Sequence, residues 1–364
     1  MVGKTPENGV YIPVACRRTV PDKRSPYRGK SMKLTLKTIA KRLPVILFIL
    51  VILFSGFTAY HYSNRILDSD ASSELVLGKL LADQNTLVTS DWLYSSEIRV
   101  LGTNLVYMPL FKLFSDWQTV RFVSILVFLA MIAGSYYYLS RRMKLSLNAY
   151  FISASLMLLP VSVVYGRLEL FHNHYTPSFV FGFLIAGLYL SFLEHRGQKR
   201  QALRLTAMIS LSFMSCLNGF LQLPVTMIPL FITALITAVK EHRDSPDILA
   251  NIPKRKWTPA VWAGALQIAG TAGLLIHTTV LTRYFQFQLL NTSVIAIPSM
   301  ENLRNILLGY LSLFGFQEGR FLFSTGGMQA LGSVLAAFVL LAVSMQDLVP
   351  RKSGAHFSGA CSGR

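Results

Sequence analysis

Residues 43–62 read LPVILFILVILFSGFTAYHY, and residues 63–84, which follow, read SNRILDSDASSELVLGKLLADQ. The first stretch has the apolar content and the length of about 20 residues that a helix needs to cross a bilayer core. The second presents Asp68, Asp70 and Glu74 directly after that helix. Together they predict a membrane-spanning helix with carboxylates at the point where the chain leaves the bilayer.

The composition of the whole chain also indicates a membrane protein. Of its 364 residues, 52% are hydrophobic and 14% are charged, with a mean hydropathy of +0.45. Soluble domains carry about 25% charged residues, so this chain is poor in charge. Its net charge of +18 lies in short basic patches between apolar segments, which is typical of membrane topology signals. We therefore expect no nucleic-acid partner. The widely spaced Cys16, Cys216 and Cys361 predict neither a disulfide framework nor a zinc site.

Eight apolar segments have a length that suits a spanning helix. They predict an all-α, multi-pass bundle with spans at residues 43–61, 119–140, 146–165, 176–193, 203–219, 222–239, 259–281 and 327–346. The fifth and sixth segments meet at a turn that contains Asn218, Gly219 and Pro224, so they are expected to form a helical hairpin.

The basic residues predict the direction of the chain through the membrane. Cytoplasmic loops are enriched in Lys and Arg, and 26 of the 35 such residues fall inside if the N-terminus is cytoplasmic. We therefore expect a multi-pass protein of the cell (plasma) membrane with outer loops at 62–118 and 282–326. A cleaved signal peptide is the alternative for the first span, but its apolar run is long for one. Residues 1–31 and 347–364 lack apolar periodicity, and we expect both to be disordered.

The outer loop 62–118 carries two predicted surface helices. A helix over residues 71–84 would turn Glu74 away from an apolar face that lies on the membrane. That face comprises Val76, Leu77, Leu80 and Leu81. A second helix is expected over residues 95–114, bent or ended near Pro109.

The two aspartates at the start of this loop are expected to have different tasks. Asp70 suits the N-cap of the first surface helix, a structural role that contributes about 1 kcal/mol. Asp68 is then left between a spanning helix and a surface helix. A carboxylate at the edge of low-dielectric material can have a raised pKa and act as a general base. The residue pattern leaves open which of the two is the base.

The motif DSDASSE at residues 68–74, directly after the first span, resembles the GT-C superfamily of integral-membrane glycosyltransferases. The strings SSELVLGKLLADQN and SSEIRVLGTNLVY further along resemble a bacterial branch of such proteins. The resemblance covers residues 43–346 as topology and is specific over 68–107. It implies a GT-C-like transmembrane domain at residues 32–346. In that superfamily the acidic motif of the first outer loop supplies the catalytic carboxylate, which matches Asp68 or Asp70 here.

The resemblance implies transfer of a hexosyl or pentosyl group from a polyprenyl-phosphate sugar donor, a membrane lipid, to an acceptor at the outer face. The candidate substrate-binding residues are polar or charged side chains of the outer loops: Glu74, Glu97, Arg99, Arg167, Glu169, His172, His174 and Arg320. Among them, the three arginines are the candidates for the leaving phosphate. No cofactor is required, although two neighbouring carboxylates would suit a divalent metal ion.

Two of these groups also have a simpler interpretation. His172, His174 and Glu169 would bind a metal only if three ligands converged, and otherwise they form a polar lip at the entrance of a span. Arg320 stands within FGFQEGRFLF, residues 314–323, where an aromatic belt at the membrane interface is equally expected.

A transporter or lipid flippase is the main alternative function, and a non-catalytic membrane scaffold is a third. Transporters usually show internal repeats and polar residues at mid-span. Here no clear repeat is present, and the polar residues gather at the outer rim. The sequence has no Walker loop, GxSxG motif or nucleotide fingerprint, so an ATP-driven machine is not expected. Many GT-C proteins have more spans, so a C-terminal truncation is one interpretation of the polar tail.

Overall fold

The structure, a computed structural model, is built almost wholly from helices. It describes residues 27–63, 65–95, 97–98, 100–171, 173–194, 200–243, 254–288, 299–316, 323–332 and 334–335. The helices are α1 (Tyr27–Tyr62), α2 (Ser69–Gln84), α3 (Asn104–Leu113), α4 (Trp117–Arg142), α5 (Leu147–Leu158), α6 (Val163–Gly166), α7 (Thr176–Glu194), α8 (Gln201–Leu217), α9 (Ile228–Arg243), α10 (Lys254–Ile276), α11 (Thr282–Tyr284) and α12 (Met300–Leu313). Wider π-helical turns lie at Arg167–Phe171, Leu223–Met227 and His277–Leu281, and a 3₁₀ turn lies at Asn173–Tyr175. The strands are β1 (Leu93–Tyr94) and β2 (Gln286–Phe287), which pair in parallel.

The chain divides into two compact units, Met1–Leu43 and Pro44–Arg364. The described part of the first unit is the N-terminal portion of α1, so residues 27–31 are helical although the sequence predicts disorder over 1–31. The rest of that segment, and the predicted disordered tail 347–364, lie outside the described residues. All other elements belong to the second unit.

Five helices in the described part of the chain are long and apolar enough to cross a bilayer, which makes this a membrane protein. They are Arg42–Tyr62, Trp117–Arg142, Asn173–Glu194, Leu223–Lys240 and Thr258–Tyr284. Each coincides with a predicted span. The number of spans rises to six if the bent helix pair Leu147–Leu158 and Val163–Phe171 is one span. The prediction of eight spans is not confirmed. α8 has only 17 residues, and most of the predicted span 327–346 lies outside the described residues.

The bent pair replaces the single helix that was predicted over residues 146–165. The direction of α5 differs by 96° from that of Val163–Phe171, which is α6 with the π-helical turn after it, and the break between them contains Pro160. Proline cannot continue the helical hydrogen bonds, which explains the break. Ser55 of α1 donates a hydrogen bond of 2.9 Å to the carbonyl oxygen of Leu158, and Ser162 caps α6. Side chains therefore bond two backbone groups next to the break, the Leu158 carbonyl and the Tyr165 N–H.

The residues between α1 and α4, 63–116, form a helical layer of their own. α2 packs on α3 at close range. A Cβ added at Gly78 would lie only 2.5 Å from Cβ of Tyr107. The predicted apolar face of α2 is wrong by about one position. Val76 is exposed, and the buried face is formed by Ala71, Glu74, Leu75, Leu77, Gly78, Leu81 and Ala82. The reason is that α2 packs against another helix of the chain.

α3 is shorter than the helix predicted over residues 95–114, and it passes through Pro109 without ending there. Pro109 is the sixth of the ten residues of α3, and its missing N–H removes one hydrogen bond of the second turn. The stretch before α3 contains the strand β1 instead of a helix.

α8 and α10 make the closest helix contact in the second half of the chain. A Cβ added at Gly273 of α10 would lie 2.2 Å from the carbonyl oxygen of Phe213 of α8, and one at Gly270 would lie 2.9 Å from Sγ of Cys216. Small residues allow helix backbones to approach in membrane proteins, where van der Waals packing holds helices together. This contact positions the end of α8, which carries part of the site described below.

We predict that Gly273→Ala destabilises the protein by about 1–3 kcal/mol, because the added methyl group must push two helix backbones apart. Gly264→Ala on the same helix is the matched control. Its Cβ would meet only the Phe231 ring at 3.5 Å, so it should be neutral or gain up to about 1 kcal/mol of helix propensity. Thermal unfolding in detergent measures both. Equal melting temperatures for the two variants would contradict the packing.

Candidate functional site

The site begins at the turn that joins α1 to α2. Arg121 of α4 is only 4% exposed, and its guanidinium donates hydrogen bonds to the carbonyl oxygens of Ser63 and, at 2.6 Å, of Ile66. The same guanidinium lies 5.9 Å from the ring centre of Phe171 and interacts electrostatically with the Asp68 carboxylate. No motif in the sequence marks Arg121 as a site residue. The signal was there, since a lone arginine in an apolar helix is costly and needs partners.

Asp68, and not Asp70, caps α2. Its Oδ1 accepts a hydrogen bond of 2.9 Å from the backbone N–H of Ala71, and the helix begins at Ser69. The expectation that Asp70 is the cap is wrong, because the helix starts two residues before the predicted position 71. Asp68 is therefore engaged in holding the fold, whereas Asp70 lies in the first turn of α2 with its side chain exposed.

A cavity of about 280 Å³ opens beside Asp70. Three carboxylates, from Asp70, Glu74 and Glu97, line it together with the aromatic side chains of Trp92 and Tyr94. Serine side chains complete much of the wall, and none of the described lining residues is Lys, Arg or His. Three of the predicted site residues are thus brought together, although 27 positions separate the first from the last.

Glu74 enters this cavity from a buried position. It is 7% exposed, and its Oε2 accepts a hydrogen bond from the Thr103 hydroxyl that precedes α3. The expectation that Glu74 turns away from the buried face of α2 is therefore wrong, because a polar partner on the neighbouring segment satisfies the carboxylate. A buried carboxylate needs such a partner to remain in the fold.

Tyr107 lies close to Glu74 on the α3 side. Burial raises the pKa of Tyr107 to about 12, and the nearby negative charge of Glu74 acts in the same direction. The Asn173 side-chain amide donates a hydrogen bond of 3.3 Å to the Tyr107 hydroxyl oxygen. The phenol is therefore neutral at physiological pH, and it links α3 to the turn that precedes α7.

The end of α8 holds Glu97 in position. The Asn218 side chain accepts a hydrogen bond of 3.1 Å from the Leu101 N–H and donates one of 3.2 Å to the Leu101 carbonyl oxygen. Gly219 has a φ of +155°, and a Cβ there would lie 2.4 Å from Cγ of Glu97. Glu97 and His174 also line a second cavity of about 20 Å³, which has room for about one water molecule.

The short sheet supplies the far wall of the larger cavity. Leu93 lies opposite Gln286 and Tyr94 opposite Phe287, and the backbone N–H of Gln288 donates a hydrogen bond of 2.7 Å to the Tyr94 carbonyl oxygen. This pairing brings Gln288, which follows α11, to the cavity. No periodic pattern marks a strand of two residues, so the sequence could not predict this wall.

Of the remaining predicted site residues, those that the structure describes do not line the larger cavity. Arg167 is exposed, and Glu169 is buried with no hydrogen-bond partner for either carboxylate oxygen among the described residues. His174 lines only the smaller cavity. Three further candidates lie outside the described residues: Arg99, His172 and Arg320.

A metal site is not formed by the described residues, among which no group of three or more His, Cys, Asp and Glu side chains could hold an ion. Comparisons with protein-family models, with curated proteins and with solved structures give no match. The GT-C resemblance therefore remains an expectation based on the sequence, and the function has to be argued from the chemistry of the cavity.

We predict that Asp68→Ala lowers the free energy of unfolding by about 1 kcal/mol, because α2 loses its cap. Asp68→Asn keeps a capping oxygen but not the charge that faces Arg121, so it should recover only the capping part of the loss. Asp70→Asn is the matched control and should unfold like the parent protein, since Asp70 caps nothing. Thermal unfolding in detergent distinguishes the variants. A larger loss for Asp70→Asn than for Asp68→Ala would show that the cap is wrongly assigned.

Proposed function

We propose that the protein is a membrane glycosyltransferase of the GT-C type, which moves a sugar from a polyprenyl-phosphate carrier to an acceptor at the outer face of the cell membrane. The observation that carries the proposal is the cavity in which Asp70, Glu74 and Glu97 meet, directly after the first span. A polyprenyl carrier keeps its tail in the bilayer and presents its sugar at the interface. The catalytic carboxylate must therefore lie where a spanning helix ends.

Asp70 is the proposed general base. Of the two aspartates in the motif, it is the one that lines the cavity and is not used as a helix cap. In the proposed step Asp70 takes the proton of an acceptor hydroxyl, and the hydroxyl oxygen bonds to the anomeric carbon of the donor. The bond from that carbon to the phosphate oxygen breaks, and the phosphate leaves with the electron pair. A phosphate leaves without a general acid, so a single carboxylate suffices for proton transfer.

The chemistry of the cavity favours the acceptor over the phosphate. Three carboxylates without a basic residue among the described lining would repel a phosphate group. Carboxylate and serine oxygens accept hydrogen bonds from hydroxyl groups, and Trp92 offers an apolar ring surface beside them. An acceptor rich in hydroxyl groups fits this lining. Arg99, Arg167 and Arg320 remain the proposed contacts of the donor phosphate.

A transporter is the second candidate, and one observation favours it. Glu169 is a buried carboxyl without a hydrogen-bond partner among the described residues, and it lies in the helix pair that bends by 96°. Broken helices and buried ionisable groups are typical of transport pathways. In that case the same polar residues would line a path, and substitution of Glu169 would affect transport more strongly than substitution of Asp70.

We predict that protein reconstituted in lipid nanodiscs releases or transfers the labelled sugar of a polyprenyl-phosphate donor. Asp70→Asn should slow this turnover by about 10²- to 10⁴-fold, because the general base is lost. Asp68→Asn, the matched control in the same motif, should stay within a few-fold of the parent protein. Thin-layer separation of the radiolabelled products measures the rates. Undiminished turnover in the Asp68→Asn/Asp70→Asn double variant, with normal expression, would rule out this role for the motif.

A further inference from the structure

α12 has an apolar face that is exposed to its surroundings. Met300 is 83% exposed and Ile306 is 65% exposed, although both are large hydrophobic residues. Successive residues of a helix turn by about 100°, which gathers the exposed apolar side chains on one side. These side chains are Met300, Leu303, Ile306, Leu307 and Tyr310. The opposite side carries Glu301, Asn302 and Asn305, so α12 is amphipathic.

The C-terminal end of α12 is fixed to the bent helix pair. Gly315, with a φ of +93°, ends the helix, and its N–H donates a hydrogen bond of 2.9 Å to the Ser312 carbonyl oxygen. This is a usual way for a helix to end at glycine. Ser162 Oγ, which also caps α6, donates a hydrogen bond of 2.9 Å to the carbonyl oxygen of Leu313. One serine therefore joins α12 to the bend between α5 and α6.

The C-terminal end of α12 is attached next to exposed apolar residues of the bent pair. Next to Ser162 the chain exposes Val161, Val163 and Val164, of which Val163 is 72% exposed. The bent pair meets the length and composition of a membrane segment. Lipid is therefore expected around its exposed valines, and the Ser162 bond places the end of α12, with its exposed apolar side chains, beside them. An interaction with the bilayer would cover both at once.

We infer that α12 lies in the interface of the bilayer, with its apolar face against the acyl chains and its polar face toward water. Amphipathic helices of this kind bury their apolar side about 5–10 Å into the boundary between headgroups and acyl chains. The bilayer then holds α12 in place, and through the Ser162 bond α12 holds the bend between α5 and α6. This inference does not depend on the proposed enzymatic function.

Spin labels on α12 test the inference. The three native cysteines are replaced, and Leu307→Cys and the matched control Asn305→Cys are labelled with a nitroxide in bilayers of phosphatidylethanolamine and phosphatidylglycerol. These two positions lie about 160° apart around the helix axis. We expect the label at 307 to collide with oxygen more often than with a water-soluble nickel chelate, and the label at 305 to show the reverse. Leu303→Cys, on the apolar face, should behave like 307.

Two results would overturn the inference. Collision of the labels at 307 and 303 with the nickel chelate, as at 305, would mean that the apolar face is in water. Protection of both labels from oxygen and from the chelate would mean that protein covers the face, either another segment of this chain or a second copy. Circular dichroism of the labelled variants verifies that they are folded in each case.

Discussion

The buried guanidinium of Arg121 is the contact on which the arrangement around the cavity depends. A buried cation near the start of a spanning helix is costly unless it is paired. Arg121 meets this requirement with the carbonyl oxygens of Ser63 and Ile66 and with the charge of Asp68. The end of the first span is thereby fixed against α4, and α2 must begin where Asp68 can cap it. Asp70 then comes to lie at the cavity as a consequence of this turn.

The cavity is completed by contacts between distant parts of the chain. Asn218 at the end of α8 holds the segment before α3 through two hydrogen bonds to Leu101. Gly219 leaves the space that Glu97 occupies, and β2 brings Gln288 to the opposite wall. The close packing of α8 against α10 supports this arrangement. A site that is assembled in this way combines rigid helices with one exposed carboxylate, which suits proton transfer at a fixed position.

The sequence predicts the elements with a strong period better than the contacts between them. Five spans follow from their apolar length, and α2 follows from its period, although its start is off by two residues. The apolar pattern could not show that Glu74 would be buried, because its partner Thr103 lies 29 residues away. The predicted span at 146–165 is broken at Pro160. The apolar length that predicts this span does not take the proline into account. The sequence motifs predict the three carboxylates of the cavity as site residues. Only the three-dimensional contacts show that Asp68 is the helix cap and that Asp70 is the candidate base.

The proposed function requires the carboxylate cavity to open on the side of the membrane away from the cytoplasm. The most direct measurement is labelling of Asp70→Cys with a membrane-impermeant maleimide in intact cells, in a protein without its native cysteines. Lys144→Cys, beyond the other end of α4, is the matched control. If the cavity opens outward, position 70 should be labelled in intact cells, and position 144 should be labelled only after the cells are made permeable. Labelling of position 144 and protection of position 70 in intact cells would contradict it.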